Sequence, residues 1–290
     1  MLSLENEKIK AVFSPHGAEL QSLVNQKTGQ EYLWQADPKF WGRHAPVLFP
    51  IVGRLKDDKY RFAGKTYKMH QHGFARDLDF TVVKQTPEQL VFCLKNSPAT
   101  EKMYPFDFEL FISYQLTGDQ LQVSYQVKNP AEQKLLFSLG GHPAFTVPLA
   151  EDEDFNDYLV EFQPVGDYQK IPLTGNYTDF SAAQKDRLAG LKLSHETFKN
   201  DALIYQLKQQ PLTLELTTGR HQHGVLLKMP AADYIGIWSP YPAQAPFVCL
   251  EPWWGLADDL AASGEFTHKR GLHLLNGHEI FTAGFTLTTF

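Results

Sequence analysis

Phe108–Leu116 (FELFISYQL), Thr117-Gly118-Asp119 and Leu121–Lys128 (LQVSYQVK) read as two alternating strands around a tight turn. Apolar residues fall at every second position on both sides of the glycine, as in strands with one buried face. The same rhythm runs outward in both directions. Upstream are Lys8–Phe13, Ala18–Val24, Glu31–Trp34, the pair Lys59–Phe62 and Lys65–Met69 around Ala63-Gly64, and the pair Asp79–Lys84 and Gln89–Leu94. Downstream are Lys134–Leu139, Leu203–Leu207, Leu212–Thr217, Gly224–Met229, Tyr234–Trp238, Phe247–Leu250 and Glu279–Thr288. Helical pattern is confined to Phe180–Leu188, with Thr178 or Asp179 as a cap. Regular short strands with turn residues between them predict an all-β, large antiparallel protein of two packed sheets. No linker, repeat or low-complexity run divides it, so residues 1–290 are expected to form one domain.

Bulk properties narrow the function. The 290 residues are 43% hydrophobic and 21% charged, with net charge −6. An acidic chain without a Lys/Arg cluster is not expected to bind nucleic acid. No apolar stretch approaches the ~20 residues of a membrane helix, and residues 1–10 lack a signal core, so a cytoplasmic, membrane-free protein is expected. Cys93 and Cys249 lie in apolar runs and are expected to be buried free thiols.

Chemistry concentrates in a few stretches. Ser138–Phe145 (SLGGHPAF) ends an apolar run with two glycines, then His142 fixed by Pro143. Such a histidine is either a hydrogen-bonded strand cap or a proton carrier held in a defined place. Phe247–Gly255 (FVCLEPWWG) repeats that logic. Glu251 follows an apolar run, precedes a proline, and is expected at a strand end walled by Trp253 and Trp254, where partial desolvation would raise its basicity. Pro46–Arg54 (PVLFPIVGR) reads as a loop packed on the core that delivers Arg54. Trp34 and Trp41, with Arg43 and His44 after them, suit either a sugar-stacking wall or a core. Asp201 before Leu203–Leu207 is a hydroxyl acceptor or a turn residue. Tyr234–Pro242 places Trp238 at an aromatic strand end.

His70-Gln71-His72-Gly73-Phe74-Ala75-Arg76 contains a His-x-His pair, and His221-Gln222-His223 contains another. On a strand such rings share a face and can chelate, but a site needs further ligands at the right geometry, so no metal is assigned. His72, before a flexible glycine, is read as a substrate contact. The acidic run Glu151–Asp154 with Asp157 lacks the spacing of a calcium loop and reads as a solvated loop.

Taken in order, PVLFPIVGR, HGFAR, GHPAF and LEPWWG resemble the aldose 1-epimerase (mutarotase) family, most closely its LacX-like branch. The resemblance spans almost the whole chain. It implies a large antiparallel β-supersandwich and a mutarotase that opens and closes a hexose ring without a cofactor. By motif position Glu251 would be the base and His142 the acid. Arg54, His72 and Asp201 would hold the sugar. From the residue reading, Trp34 and Trp238 are expected as aromatic contacts to it. HGFAR also resembles the branch that acts on hexose 6-phosphates, in which Arg76 would face the phosphate. A non-catalytic carbohydrate-binding or sensing protein on the same fold is the alternative reading. Exposed edge strands could pair two copies into a homodimer.

Overall fold

The hairpin at 109–128 forms as its alternation requires. In the computed structural model, which describes residues 2–290, Glu109–Thr117 pairs with Gln120–Lys128 in unbroken register from Glu109↔Lys128 to Thr117↔Gln120. Leu110, Ile112, Tyr114 and Leu116 face the core from one strand, and Leu121, Val123, Tyr125 and Val127 from the other.

This hairpin belongs to a 15-stranded sheet. From the hairpin the sheet continues through Ile280–Thr289, Gly224–Met229, Leu212–Thr218, Tyr158–Ile171, Leu203–Gln206, Tyr234–Trp238, Phe247–Trp254 and Leu139–Gly141 to Val47–Leu48. On its other side lie Gln89–Lys95 and Thr81–Gln85. Ala144–Thr146 also pairs with Phe247–Trp254, and Gln184–Lys192 with Tyr158–Ile171. The named strand pairings are antiparallel. The sheet curls until its two halves share one core. The Tyr125 ring lies 6.1 Å from that of Trp254, and a Cβ on Gly141 would stand 2.8 Å from the Tyr125 hydroxyl. A three-stranded sheet, Leu2–Glu5, Ile9–Ser14 and Glu19–Asn25, covers the hairpin, with Phe13 4.5 Å from Tyr114. The architecture is the expected large antiparallel β-supersandwich.

Local departures have local causes. Glu31–Trp34 makes only isolated bridges, because the Glu31 carboxylate takes the backbone N–H groups of Leu23 and Leu33, each at 2.8 Å. A side chain that accepts from nearby amides competes with strand pairing. The expected helical segment at 180–188 shrinks to one 3-10 turn, Phe180–Ala182, capped by Asp179 as anticipated. Gln184–Lys192 is instead a strand, paired to Tyr158–Ile171 and buried only at Leu188. Pro46–Arg54 packs on the core as expected, with Phe49, Ile51 and Val52 fully buried. Both cysteines are buried and free. Among the described residues no helix is long and apolar enough to cross a membrane.

Two glycines make room for one tryptophan. A Cβ on Gly140 would lie 2.8 Å from the Trp253 ring, and one on Gly236 would lie 2.7 Å from it. Trp253 therefore lies flat across both neighbouring strands. Gly236→Ala should lower stability by about 1–3 kcal/mol through overpacking. In urea unfolding the midpoint should fall while the slope stays unchanged.

Candidate active site

The strand Phe247–Trp254 is buried along its whole length, and its side chains alternate between two faces. Glu251 and Trp253 face a cavity of about 420 Å³. Trp254 faces the opposite way, onto Tyr125, and its indole N–H donates to the Ala231 carbonyl at 3.1 Å. The expected double-tryptophan wall is thus a wall of Trp253 alone, because adjacent strand residues cannot share a face. Glu251 also lies inside its strand rather than at the end.

His142 arrives on the neighbouring chain. Gly140 pairs with Trp253 and Ala144 with Cys249, so the same register places His142 opposite Glu251. The strand is interrupted there by Pro143, and the His142 amide donates outward to the Pro46 carbonyl at 3.0 Å. His142 Nε2 stands 3.0 Å from Glu251 Oε2. His142 Nδ1 and Glu251 Oε2 have no aligned hydrogen-bond partner among the described residues. The Glu251 carboxylate, which lines the cavity, is therefore left an oxygen for a ligand. Trp41 stacks on the His142 ring at 4.8 Å, and Trp238 meets it edge-on at 5.8 Å.

His72 sits at a left-handed backbone position (φ 68°) followed by Gly73 (φ 73°). A Cβ on Gly73 would collide with the Phe49 carbonyl oxygen at 2.2 Å, so only glycine fits. The Gly53 amide donates to His72 Nδ1 at 3.1 Å, which leaves the ring proton on Nε2. The His72 and His142 rings are 5.6 Å apart and nearly perpendicular.

Three arginines line the same cavity. Arg43 is held by Asp77 at 2.7 Å, Arg54 lies 3.4 Å from Asp58, and Arg76 donates to the Gln71 carbonyl at 2.7 Å. Burial and the neighbouring Arg43 bring the Arg76 pKa down to about 10. Asp201, also left-handed (φ 71°), stands at the exposed rim, where desolvation pushes its carboxyl up. Trp238 completes that side.

The cavity thus brings together His142, Glu251, Arg54, His72, Asp201, Arg76 and Trp238. Trp34 does not join them. It stacks on Phe247 at 4.8 Å, and its indole N–H donates to the Trp41 carbonyl at 2.9 Å. It supports Trp41, which takes the wall position. Gln71 and Asn176 also line the cavity and were not anticipated. Gln71, between the two histidines of the His-x-His pair, was the more readable of the two.

Burial dominates the electrostatics. It raises Glu251 well above the ordinary carboxylate range, assisted by Asp201, while the Trp253 indole acts the other way. It lowers His142 to about 3, with Arg76 and Arg43 adding to the shift. His72 is likewise held well below its usual value by burial, His142 and the arginines. His142, Cys249 and Glu251 bring N, S and O atoms within 4.8 Å of one another. Burial holds the Cys249 thiol and the Glu251 carboxyl toward their protonated forms, so a metal would have to displace both protons.

These shifts have a sign in the acid limb. Below about pH 6.5 the unfolded chain takes up protons at His72 and His142 while the folded chain resists, so they erode stability as the pH falls toward the folded value. Glu251 acts oppositely, eroding stability as the pH rises above the ordinary carboxylate range. Side-chain ¹⁵N spectra at pH 5 should show His72 and His142 as neutral rings, although an unperturbed histidine (pKa ~6.5) would be protonated there. Imidazolium signals from both would contradict the burial argument.

The sequence model of a family described as aldose 1-epimerase matches residues 1–271. Protein LacX (chromosomal) of Lactococcus lactis subsp. lactis is 33% identical over 276 residues, covering 89% of each chain. A galactose mutarotase-related enzyme from Lactobacillus acidophilus superposes with a TM-score of 0.98 at 41% identity, covering 100% of this chain and 97% of that one. A galactose mutarotase-like protein from Lactobacillus casei superposes with a TM-score of 0.92 at 34% identity, covering 100% of both.

Proposed function

The chain belongs to the aldose 1-epimerase family, and on that premise we propose that it interconverts the α and β anomers of a hexose or hexose 6-phosphate by acid/base ring opening. The observation that carries this reading is the buried contact between His142 Nε2 and Glu251 Oε2, 3.0 Å long, in a cavity lined by arginine and tryptophan. Mutarotation acts on two oxygens bonded to one carbon, the anomeric hydroxyl and the ring oxygen. An acid and a base that serve both must themselves be neighbours.

In the proposed reaction the pair holds one proton. With that proton on His142, the Glu251 carboxylate takes the proton of the anomeric hydroxyl while His142 Nε2–H protonates the ring oxygen. The C1–O5 bond breaks, a C1 carbonyl forms, and rotation about C1–C2 presents its other face. Reversal of both transfers closes the ring as the other anomer. Shifting the proton between Glu251 and His142 leaves the net charge of the pair unchanged. The buried site therefore avoids taking up an uncompensated charge. Sugar hydroxyls that hydrogen-bond to Glu251 favour its carboxylate form.

The remaining groups bind. His72 Nε2–H donates beside the ring oxygen. Asp201 accepts from hydroxyls, and Trp41, Trp238 and Trp253 wall the sugar. Arg43, Arg54 and Arg76 present forked donors suited to hydroxyls or to a phosphate.

Polarimetry with glucose, galactose and their 6-phosphates tests the proposal. One sugar should reach anomeric equilibrium faster. Glu251→Gln and His142→Asn should each lower kcat for it by about 10²–10⁴-fold, the usual worth of one acid or base group. Wild-type rates in both variants would refute the mechanism. Saturable binding with no acceleration of any sugar would move the protein to a carbohydrate-binding role.

A further inference from the structure

One buried ion pair stands behind the arginine side of the cavity. The side chains of Lys269 and Asp258 are only 2% and 4% exposed, and Lys269 Nζ lies 3.3 Å from Asp258 Oδ1. Lys269 also donates to the Leu256 carbonyl at 2.6 Å. Neither residue lines the cavity. A buried pair of this kind adds little stability over apolar residues of similar volume, so its role lies in what it holds in place.

Asp258 ties together two segments that reach the cavity. Its Oδ2 accepts the Lys56 amide at 2.9 Å, and its own amide donates to the Arg54 carbonyl at 2.9 Å, so it brackets the chain from Arg54 to Lys56. Its carbonyl accepts the Thr178 amide at 3.0 Å and the Thr178 hydroxyl at 3.3 Å. Thr178 pairs with Leu173 in the hairpin that carries Leu173 and Asn176 to the cavity. The preceding residue, Ala257, packs against Gly53 so closely that a Cβ on Gly53 would lie 2.5 Å from the Ala257 Cβ. Gly53 is the residue whose amide fixes the His72 ring. Arg54, His72 and Asn176 thus depend on one loop, 255–258, and Lys269 is the cation that anchors that loop.

We propose that Lys269 and Asp258 are positioning residues, whose ion pair sets the Arg54 loop, the His72 ring behind Gly53 and the 173–178 hairpin, and so the affinity of the cavity for its sugar. Only the kinetic consequence rests on the mutarotase reading. His142 and Glu251 are placed independently, by the pairing of Phe247–Trp254 with Leu139–Gly141 and Ala144–Thr146. Loss of the ion pair should therefore weaken binding and leave the proton transfers in place.

Lys269→Met removes the cation and keeps most of its volume. With the sugar that wild type accelerates, KM should rise about tenfold while kcat stays within about twofold, the pattern of a charged hydrogen bond to substrate that is misplaced. A general loss of folded protein would instead lower kcat at an unchanged KM. Lys269→Met strands the Asp258 carboxylate and should also lower stability. The double variant Asp258→Leu/Lys269→Met strands no charge. It should regain stability in urea unfolding yet keep the raised KM, because no carboxylate holds the Lys56 amide. Ring ¹⁵N signals of His72 read the same device without a substrate. Wild type should show the Nε2–H tautomer, and both variants should move toward a mixture of tautomers while the His142 signals stay. A wild-type KM in the double variant would overturn the proposal, and so would His72 signals unmoved in both variants. Should wild type accelerate no sugar, the mutarotase reading falls, and the His72 spectra alone decide the positioning.

Discussion

The contact between His142 and Glu251 sets the terms for the structure around it. Two ionisable groups, 3.0 Å apart and almost wholly buried, are tolerable only if their joint charge is neutral and their geometry fixed. Antiparallel register supplies the geometry. Gly140↔Trp253 and Ala144↔Cys249 fix both sides of the pair, and His142-Pro143 interrupts the neighbouring strand just where the imidazole turns toward Glu251. Gly140 and Gly236 give up their side chains so that Trp253 can close the floor. Trp41 and Trp238 press on the imidazole from two directions. A site built on strands holds its reacting groups more tightly than one built on loops.

Loops carry the groups expected to meet hydroxyls. His72 and Asp201 both occupy left-handed backbone positions, as do Gly53 and Gly73 beside them. Such conformations cost about 1–3 kcal/mol each for non-glycine residues and persist where the surroundings enforce them. Here the enforcement is visible. The His72 amide donates to the Gly53 carbonyl at 2.8 Å, and the Gly53 amide donates back to the His72 ring. One loop therefore fixes the tautomer of the residue on the other.

Much of this was legible in the sequence. Apolar runs between turn residues located Gly224–Met229 and Tyr234–Trp238 to the residue; the second is buried on both faces except at Trp238. The pattern failed for Gln184–Lys192, whose charged and polar residues leave only Leu188 buried. It failed also for Tyr158–Ile171, where Pro164 and Gly166 interrupt the run at a register shift and mask a 14-residue strand. Arg54, His72, His142 and Glu251 showed as ionisable groups next to glycine or proline, and all four line one cavity. Trp34 and Trp41 read alike in the sequence and both stack on Phe247, but only Trp41 reaches His142 and lines the cavity. Pairing between strands far apart in the chain, which joins His142 to Glu251 and the acidic run to His221 and His223, has no local signature.

In the proposed mechanism the pair holds one proton, which burial draws toward Glu251 and away from His142. Infrared difference spectroscopy of wild type against Glu251→Gln in ligand-free protein at pH 7 observes that proton directly. The account predicts a protonated-carboxyl C=O band in wild type that is absent from the variant. A carboxylate band assigned to Glu251, with no protonated-carboxyl band, would contradict it.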